Sequence, residues 1–260
     1  MKGEAGASSW ADFLKDNLKP FHKNYLLPIS YDSDLDGEPS PDPDGDNKDV
    51  EVKFQLSLRY MLTAPRESFP GQFYFAYTQQ SHWQLYDMDG SSPFRNTDYM
   101  PELFWEWTTK QQIGVRTGVA HQSNGTGGAD SRSWNRVYAE ALFNGVDSWE
   151  QRKINDWGVA LKVWHAFDES ENNDDITDFL GNFELRTDWV LPWDDRHVQL
   201  LSVLARRNFA EDHGGLEVGY SRDFIGRTRL YFQYFGGYGE SLLDFDEYSN
   251  RLSVGFEFSP

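Results

Sequence analysis

The chain has 260 residues, with 24 Lys and Arg against 42 Asp and Glu for a formal net charge of −18, no cysteine, and 16% aromatic residues. Dispersed aromatics exclude a disordered acidic chain, the lack of a basic stripe excludes nucleic acid as a partner, and the cysteine count excludes disulfide, zinc-thiolate and iron–sulfur chemistry. No run of about 18 apolar residues forms a spanning helix, and no apolar leader stands at the N-terminus; a mean hydropathy of −0.69 then suggests a soluble protein, unless the apolar residues alternate along strands.

In chain order, residues 1–23 read as a short periplasmic segment, with Trp10, Leu14 and Leu18 at helical spacing. From residue 24 onward the period changes to two. In 51–60, Glu51, Lys53, Gln55, Ser57 and Arg59 alternate without exception with Val52, Phe54, Leu56, Leu58 and Tyr60. Phe183, Leu185, Thr187 and Trp189 oppose Glu184, Arg186 and Asp188, and Leu252, Val254, Phe256 and Phe258 oppose Ser253, Gly255 and Glu257. This pattern predicts twelve strands near 24–32, 50–63, 70–83, 99–109, 111–123, 131–143, 156–167, 178–190, 197–208, 214–222, 227–238 and 249–258. Long connections (33–49, 84–98, 124–130, 168–177, 209–213, 239–248) fall on one side, and mostly tight turns such as Thr109-Lys110 and Phe224-Ile225-Gly226 on the other.

An even number of antiparallel strands with long loops at one end describes an all-β transmembrane barrel over 24–260. A soluble sandwich or lipocalin-like barrel also alternates, and the period does not say which face is inward. The aromatics favour the membrane: Trp105, Trp107, Trp149, Trp157, Trp164, Trp189 and Trp193 recur near inferred strand ends, where interfacial girdles place such rings. With Arg59, Arg116, Arg136, Arg186, Glu51, Glu140, Glu184 and Asp188 turned inward, the lumen is filled by paired charges rather than open.

One strand breaks its pattern. Ile113, Val115, Thr117 and Val119 make its apolar face, yet the same face continues into His121 and Ser123. On the next strand, Val137, Ala139, Ala141 and Phe143 share their face with Asn135. An imidazole, a hydroxyl and an amide therefore meet on what should be the lipid-facing exterior, where such groups are costly and often functional. Serine needs a base to act as a nucleophile at neutral pH, histidine supplies one, and asparagine can orient the ring. A merely solvated interfacial cluster is the alternative on geometry alone.

Specific local sequence adds to this. His121-Gln122-Ser123-Asn124-Gly125 followed by Ser131-Arg132-Ser133-Trp134-Asn135-Arg136 resembles the active-site block of the outer membrane phospholipase A family, integral outer-membrane lipases of Gram-negative bacteria. Val52 to Leu58, Tyr77-Thr78-Gln79, Ser91-Ser92-Pro93-Phe94-Arg95 and Gly237 to Leu242 match it too, so the resemblance runs from about residue 20 to the C-terminus. It implies a twelve-stranded barrel with Ser123 as nucleophile, His121 as base then acid, and Asn135 as orienter of the ring. Gly125 lends an N–H to the oxyanion hole.

The resemblance also implies calcium and an active homodimer that shares the substrate cleft. The ion would take oxygens from Ser131 and the Thr126 carbonyl of one subunit and from Ser91 of the other, and Gln79 would sit in the contact between barrels. The implied reaction is hydrolysis of sn-1 and sn-2 acyl esters of glycerophospholipids and of lysophospholipids, at the outer membrane.

Three positions depart from the family. Thr126 stands where Arg is frequent, which leaves a carbonyl ligand unaffected. Gly127-Gly128-Ala129-Asp130 lacks the acidic residue at its usual place, so a second ion would have to use Asp130 or the acidic loop with Asp168, Glu169, Glu171, Asp174 and Asp175. Phe258 is followed by Ser259-Pro260 rather than ending on an aromatic.

A non-catalytic pore or adhesin is the reading of another class. It needs no His–Ser–Asn cluster, but it accommodates the acidic loop 33–49. No Gly-x-Ser-x-Gly, His-Glu-x-x-His or Walker motif supports a soluble hydrolase, zinc protease or NTPase.

Overall fold

The computed structural model describes residues 17–35, 47–63, 70–109, 113–144, 156–192 and 197–258. Trp10, Leu14, Lys110, Trp149, Trp193 and most of the acidic loop 33–49 lie outside the described residues.

Strands β1 (Leu18–Pro20), β2 (Tyr25–Asp32), β3 (Val50–Met61), β4 (Gln72–Trp83), β5 (Phe94–Thr108), β6 (Gly114–Ser123) and β7 (Ser133–Phe143) are followed by β8 (Trp157–Phe167), a short helix α1 (Ile176–Leu180), β9 (Phe183–Leu191), β10 (Gln199–Arg207), β11 (Gly214–Ile225), β12 (Thr228–Gly237) and β13 (Ser249–Phe258). From β2 to β13 each strand pairs antiparallel with its sequence neighbours, and β13 closes on β2. The result is the twelve-stranded barrel that the period predicts. Closure satisfies every edge, as a sheet in hydrocarbon requires.

Several boundaries differ from the sequence reading. β11 runs on to Ile225 rather than ending near 222, so Phe224 and Ile225 belong to the strand and not to the turn. β5 begins at Phe94 rather than near 99, because Asn96 and Asp98 still turn inward by twos and a register shift between the His82 and Trp83 partners lets Arg95 be buried beside them. β9 begins at Phe183, because Ile176 and Leu180 pack one face of α1 onto the lumen core instead of extending a strand. Leu18 lies in β1, not in a helix, paired with Tyr60 on the edge of β3. β1 continues the place of β2 after a break at 21–24. There the Asn24 side chain replaces ladder bonds, its Oδ1 accepting from the Ser57 N–H (2.8 Å) and its Nδ2 donating to the Ser57 carbonyl (3.1 Å). The break turns Phe21 into the lumen, 5.3 Å from the Phe104 ring, with the Arg116 guanidinium over both.

Alternation determines the two faces. On β3, Glu51, Lys53 and Ser57 are buried while Leu56 is exposed. On β7, Trp134, Arg136, Tyr138 and Glu140 are buried while Val137 is exposed. Inside, charges are paired: Arg116 reaches Glu106 and Glu140 (both 2.6 Å), Arg186 reaches Glu140 (3.0 Å), and Arg251 reaches Asp32, Glu51 and Glu240 (2.9, 2.7 and 2.6 Å). The lumen is not charge alone. Ile176, Leu180, Leu242 and Phe245, from α1 and the 239–248 loop, pack with Trp134 and Trp164 into an apolar stopper. Glu184 and Asp188 line a remaining cavity of about 200 Å³.

Trp105 and Trp107, stacked at 4.1 Å, and Trp157 opposite Trp189 mark the short-turn end. At the long-loop end Trp83 stacks on Phe94 at 5.2 Å. Two aromatic belts thus bracket the exposed apolar residues, as a membrane barrel requires. Trp164 is a correction: it points inward, 7% exposed, against Trp134, because the period of β8 puts Val163 and His165 outside.

Candidate active site

The β6–β7 hairpin builds the site. Its register sets His121 opposite Asn135 and Ser123 opposite Ser133. His121 and Ser123, two apart on one strand, share a face with Cα atoms about 6.6 Å apart. Nδ1 of His121 lies 3.0 Å from Oδ1 of Asn135. Because a carbonyl oxygen only accepts, Nδ1 carries the proton, and Nε2 is left as the basic nitrogen for the serine side. All three residues are half-buried, at the loop end of an exterior face that continues toward the short-turn end through the exposed Val119 and Val137.

The connection after Ser123 is shaped for close approach. Gly125 has φ +67, and a Cβ there would stand 2.9 Å from the Tyr99 ring, which permits glycine alone. Asn124, 4% exposed, organises the hairpin. Its Oδ1 accepts from the Thr126 and Arg132 N–H groups (3.3 and 3.0 Å), and its Nδ2 donates to the Asp130 carbonyl (2.7 Å).

A second loop braces the first. Asn172 donates to the Gly128 and Ser131 carbonyls (3.0 and 3.2 Å). Asn173, fully buried, accepts from the Ser133 N–H (3.0 Å) and donates to its carbonyl (3.1 Å), mimicking a strand partner. Asn135 in turn donates to Asp168.

Sequence reasoning missed Asn124, Asn172, Asn173 and the contact of Asp168 with Asn135. The signal that was available is asparagine at loop positions, where its side chain copies backbone bonding; which backbone it copies is decided by the fold.

Thr126 and Ser131 flank the 3-10 turn Gly128–Asp130 on the open side of the hairpin. A carbonyl and a hydroxyl suit a hard cation, but two neutral oxygens fall short of the six to eight that calcium takes. Their chemistry fits half of a shared site, completed by water and another molecule. No group of three His, Asp or Glu that could hold a metal ion occurs among the described residues. Ser91 lies apart, in the 84–93 connection, with φ +66 and its N–H on the Met88 carbonyl (3.3 Å).

Gln79 accepts from the Tyr77 hydroxyl (3.1 Å) and donates to Ser81 (3.2 Å). Across the sheet, Gln79 pairs with Tyr99 and Tyr99 with Ser123, so one exterior row runs Gln79, Tyr99, Ser123, Ser133.

A closed barrel with aromatic belts, a largely filled lumen and a His121–Asn135 pair on the outer face that also carries Ser123 defines the class as an outer-membrane β-barrel with a polar cluster turned to lipid. The family model for phospholipase A1 matches residues 8–258. The chain belongs to the phospholipase A1 family. A phospholipase A1 of Proteus vulgaris is 35% identical over 246 residues, covering 92% of this chain and 80% of that one. The crystal structure of the Salmonella typhi outer membrane phospholipase dimer with bound calcium superposes with a TM-score of 0.82 at 33% identity, covering 96% of both chains. An Escherichia coli outer membrane phospholipase A carrying an asparagine-to-alanine active-site mutation superposes at 0.79 with 32% identity, over 93% of this chain and 91% of that one. The protein is accordingly a phospholipase of the Gram-negative outer membrane.

Proposed function

We propose that this chain hydrolyses sn-1 and sn-2 acyl esters of glycerophospholipids, and of lysophospholipids, with Ser123, His121 and Asn135 as its catalytic triad, when a calcium-loaded homodimer forms. The observation that carries the reading is the 3.0 Å contact between His121 and Asn135 on an exterior face that otherwise belongs to lipid. That the Escherichia coli relative's active-site mutant alters an asparagine supports the role of Asn135.

Ser123 Oγ attacks the ester carbonyl carbon as Nε2 of His121 takes its proton. The carbonyl electrons move to an oxyanion that accepts from the Gly125 N–H. His121 then delivers the proton to the departing lysolipid oxygen as the C–O bond breaks; a water, deprotonated by the same Nε2, adds to the acyl carbon, the bond to Ser123 Oγ breaks, Oγ takes the proton back from Nε2, and the fatty acid leaves. Asn135 holds the ring in the required tautomer throughout. The Thr126 carbonyl and Ser131 of one subunit and Ser91 of its neighbour would hold calcium, which would supply positive charge to offset that of the oxyanion. A lipid entering sideways from the outer leaflet reaches this face without crossing the lumen.

Dimerisation through the face bearing Gln79 fits the exterior row. Gln79 lies two strands from Ser123, about 9.6 Å away at ordinary strand spacing, so a second barrel seated there becomes a wall of the substrate cleft. The bound-calcium dimer of the Salmonella typhi enzyme supports this assembly.

The test is phospholipid hydrolysis by detergent-refolded protein, with calcium and with chelator, alongside its monomer–dimer ratio. Activity should require calcium and rise with the dimer fraction, and Ser123→Ala should lower kcat by about 10⁴-fold or more with folding retained. Unchanged activity in that variant sinks the assignment.

A further inference from the structure

We propose that Asp168 is a positioning residue for Asn135, a fourth member of the line that begins at Ser123; this rests on the catalytic assignment above. The geometry starts from a weakness of asparagine in a triad. Its amide can turn over about χ2 at little cost, and the flipped form sets an NH2 group against the Nδ1–H of His121, donor against donor. Something must hold the oxygen toward the ring. Nδ2 of Asn135 donates to Oδ2 of Asp168 at 3.1 Å and to the Asp168 carbonyl at 3.3 Å. An ionised carboxylate and a carbonyl can only accept, so both select the orientation in which Oδ1 faces His121.

Asp168 is placed for this by the fold. It follows Phe167, which the β7–β8 register sets directly opposite Asn135. Its φ of +57 is left-handed, a conformation aspartate tolerates better than most residues; it brings carboxylate and carbonyl to the same amide. The segment beyond is tied down on the same strand as Asn135, by the Ser170 N–H to the Ser133 carbonyl (2.9 Å) and by Asn173. Strained backbone held by surrounding bonds beside a reacting group is a recurrent feature of functional sites. The carboxylate also lends charge that a neutral asparagine lacks, along a line of two hydrogen bonds to the ring that must become an imidazolium.

The experiment uses the full chain refolded in detergent, with the folded fraction measured by heat-modifiable electrophoretic mobility, and kcat and KM determined separately on phospholipid micelles with calcium. Asp168→Ala should lower kcat about 10-fold or more with KM within about twofold, and Asp168→Asn, which keeps an acceptor oxygen, should lose about threefold. The compensating swap is decisive. Asn135→Asp puts two acceptor-only groups face to face and should lose about 100-fold, whereas combining it with Asp168→Asn restores a donor between them and should recover about 10-fold or more of that loss. A merely structural role for Asp168 predicts no recovery. An active parent with unchanged kcat in Asp168→Ala, or a double variant no better than Asn135→Asp, overturns the role of Asp168 alone; an inert parent overturns it together with the catalytic assignment.

Discussion

Inside the barrel Arg251 touches three carboxylates, of Asp32, Glu51 and Glu240, whereas outside it His121 touches one amide, that of Asn135. The inner groups are excluded from water and neutralised several times over; Glu51 alone meets Arg95, Arg251 and His82. The outer groups, half-buried His121 and Asn135 and exposed Asp168, are joined in single file. Redundant pairing holds a lumen shut, because no one group is poised to change its proton or partner. Single-file pairing suits catalysis, since each member must pass a proton or hold its neighbour while one passes.

That contrast can be broken from either side. The largest effect on stability should come from Arg251→Leu, which removes the cation that Asp32, Glu51 and Glu240 share, leaving Glu51 to Arg95 and Glu240 to Lys53, and should cost about 3–5 kcal/mol, read from denaturant unfolding in detergent. The folded fraction should keep the parent's activity per molecule, and a loss of catalysis without loss of stability would contradict the division of labour. On the outer face, Gly125→Ala should lower kcat about 10²-fold, about 2.7 kcal/mol, and cost about 1–3 kcal/mol of stability, because alanine is forced into a left-handed backbone against the Tyr99 ring. Repeating it in a Tyr99→Ala background separates the clash with the ring from the cost of φ +67: substantial recovery assigns the effect to the ring, and none assigns it to the backbone.

The smallest effect concerns pH. Burial pushes the Glu240 carboxyl up, but Arg251 and Lys53 outweigh that and hold it well below the usual carboxylate range. A group depressed in the folded state adds stability that is present above its unfolded value, near 4.3, and is lost as pH falls through the folded one. The denaturation midpoint should therefore hold from neutral pH to about pH 5 and fall below about pH 4. Glu240→Gln should flatten that fall by on the order of 2 kcal/mol, and an equally steep fall in the variant would remove Glu240 as its cause.

Much of this was legible beforehand for a definite reason. The strict alternation of 51–60 survives as an inside and an outside because each strand of a barrel has one polar and one lipid face, so the break in pattern at His121, Ser123 and Asn135 marks the candidate site in the sequence alone. Trp164 was misplaced because proximity to a strand end does not reveal which way a residue points; counting by two from Val163 would have shown it. Leu18 at helical spacing became a strand because the free edge of β3 at Leu58, Arg59 and Tyr60 offered it partners. The loop asparagines left no mark, since an amide that copies backbone bonding needs only a short side chain and an available carbonyl.

By itself, then, the sequence determined the period, the strand number, the face that carries His121, Ser123 and Asn135 and, through its local blocks, the family. These are properties of neighbours along one chain or across one hairpin. Only the tertiary structure decided that Asn172 and Asn173 brace the hairpin, that Asp168 meets Asn135, and that the 239–248 loop and α1 stopper the lumen. Those contacts join residues far apart in sequence, and their energies depend on which groups the closed barrel deprives of water.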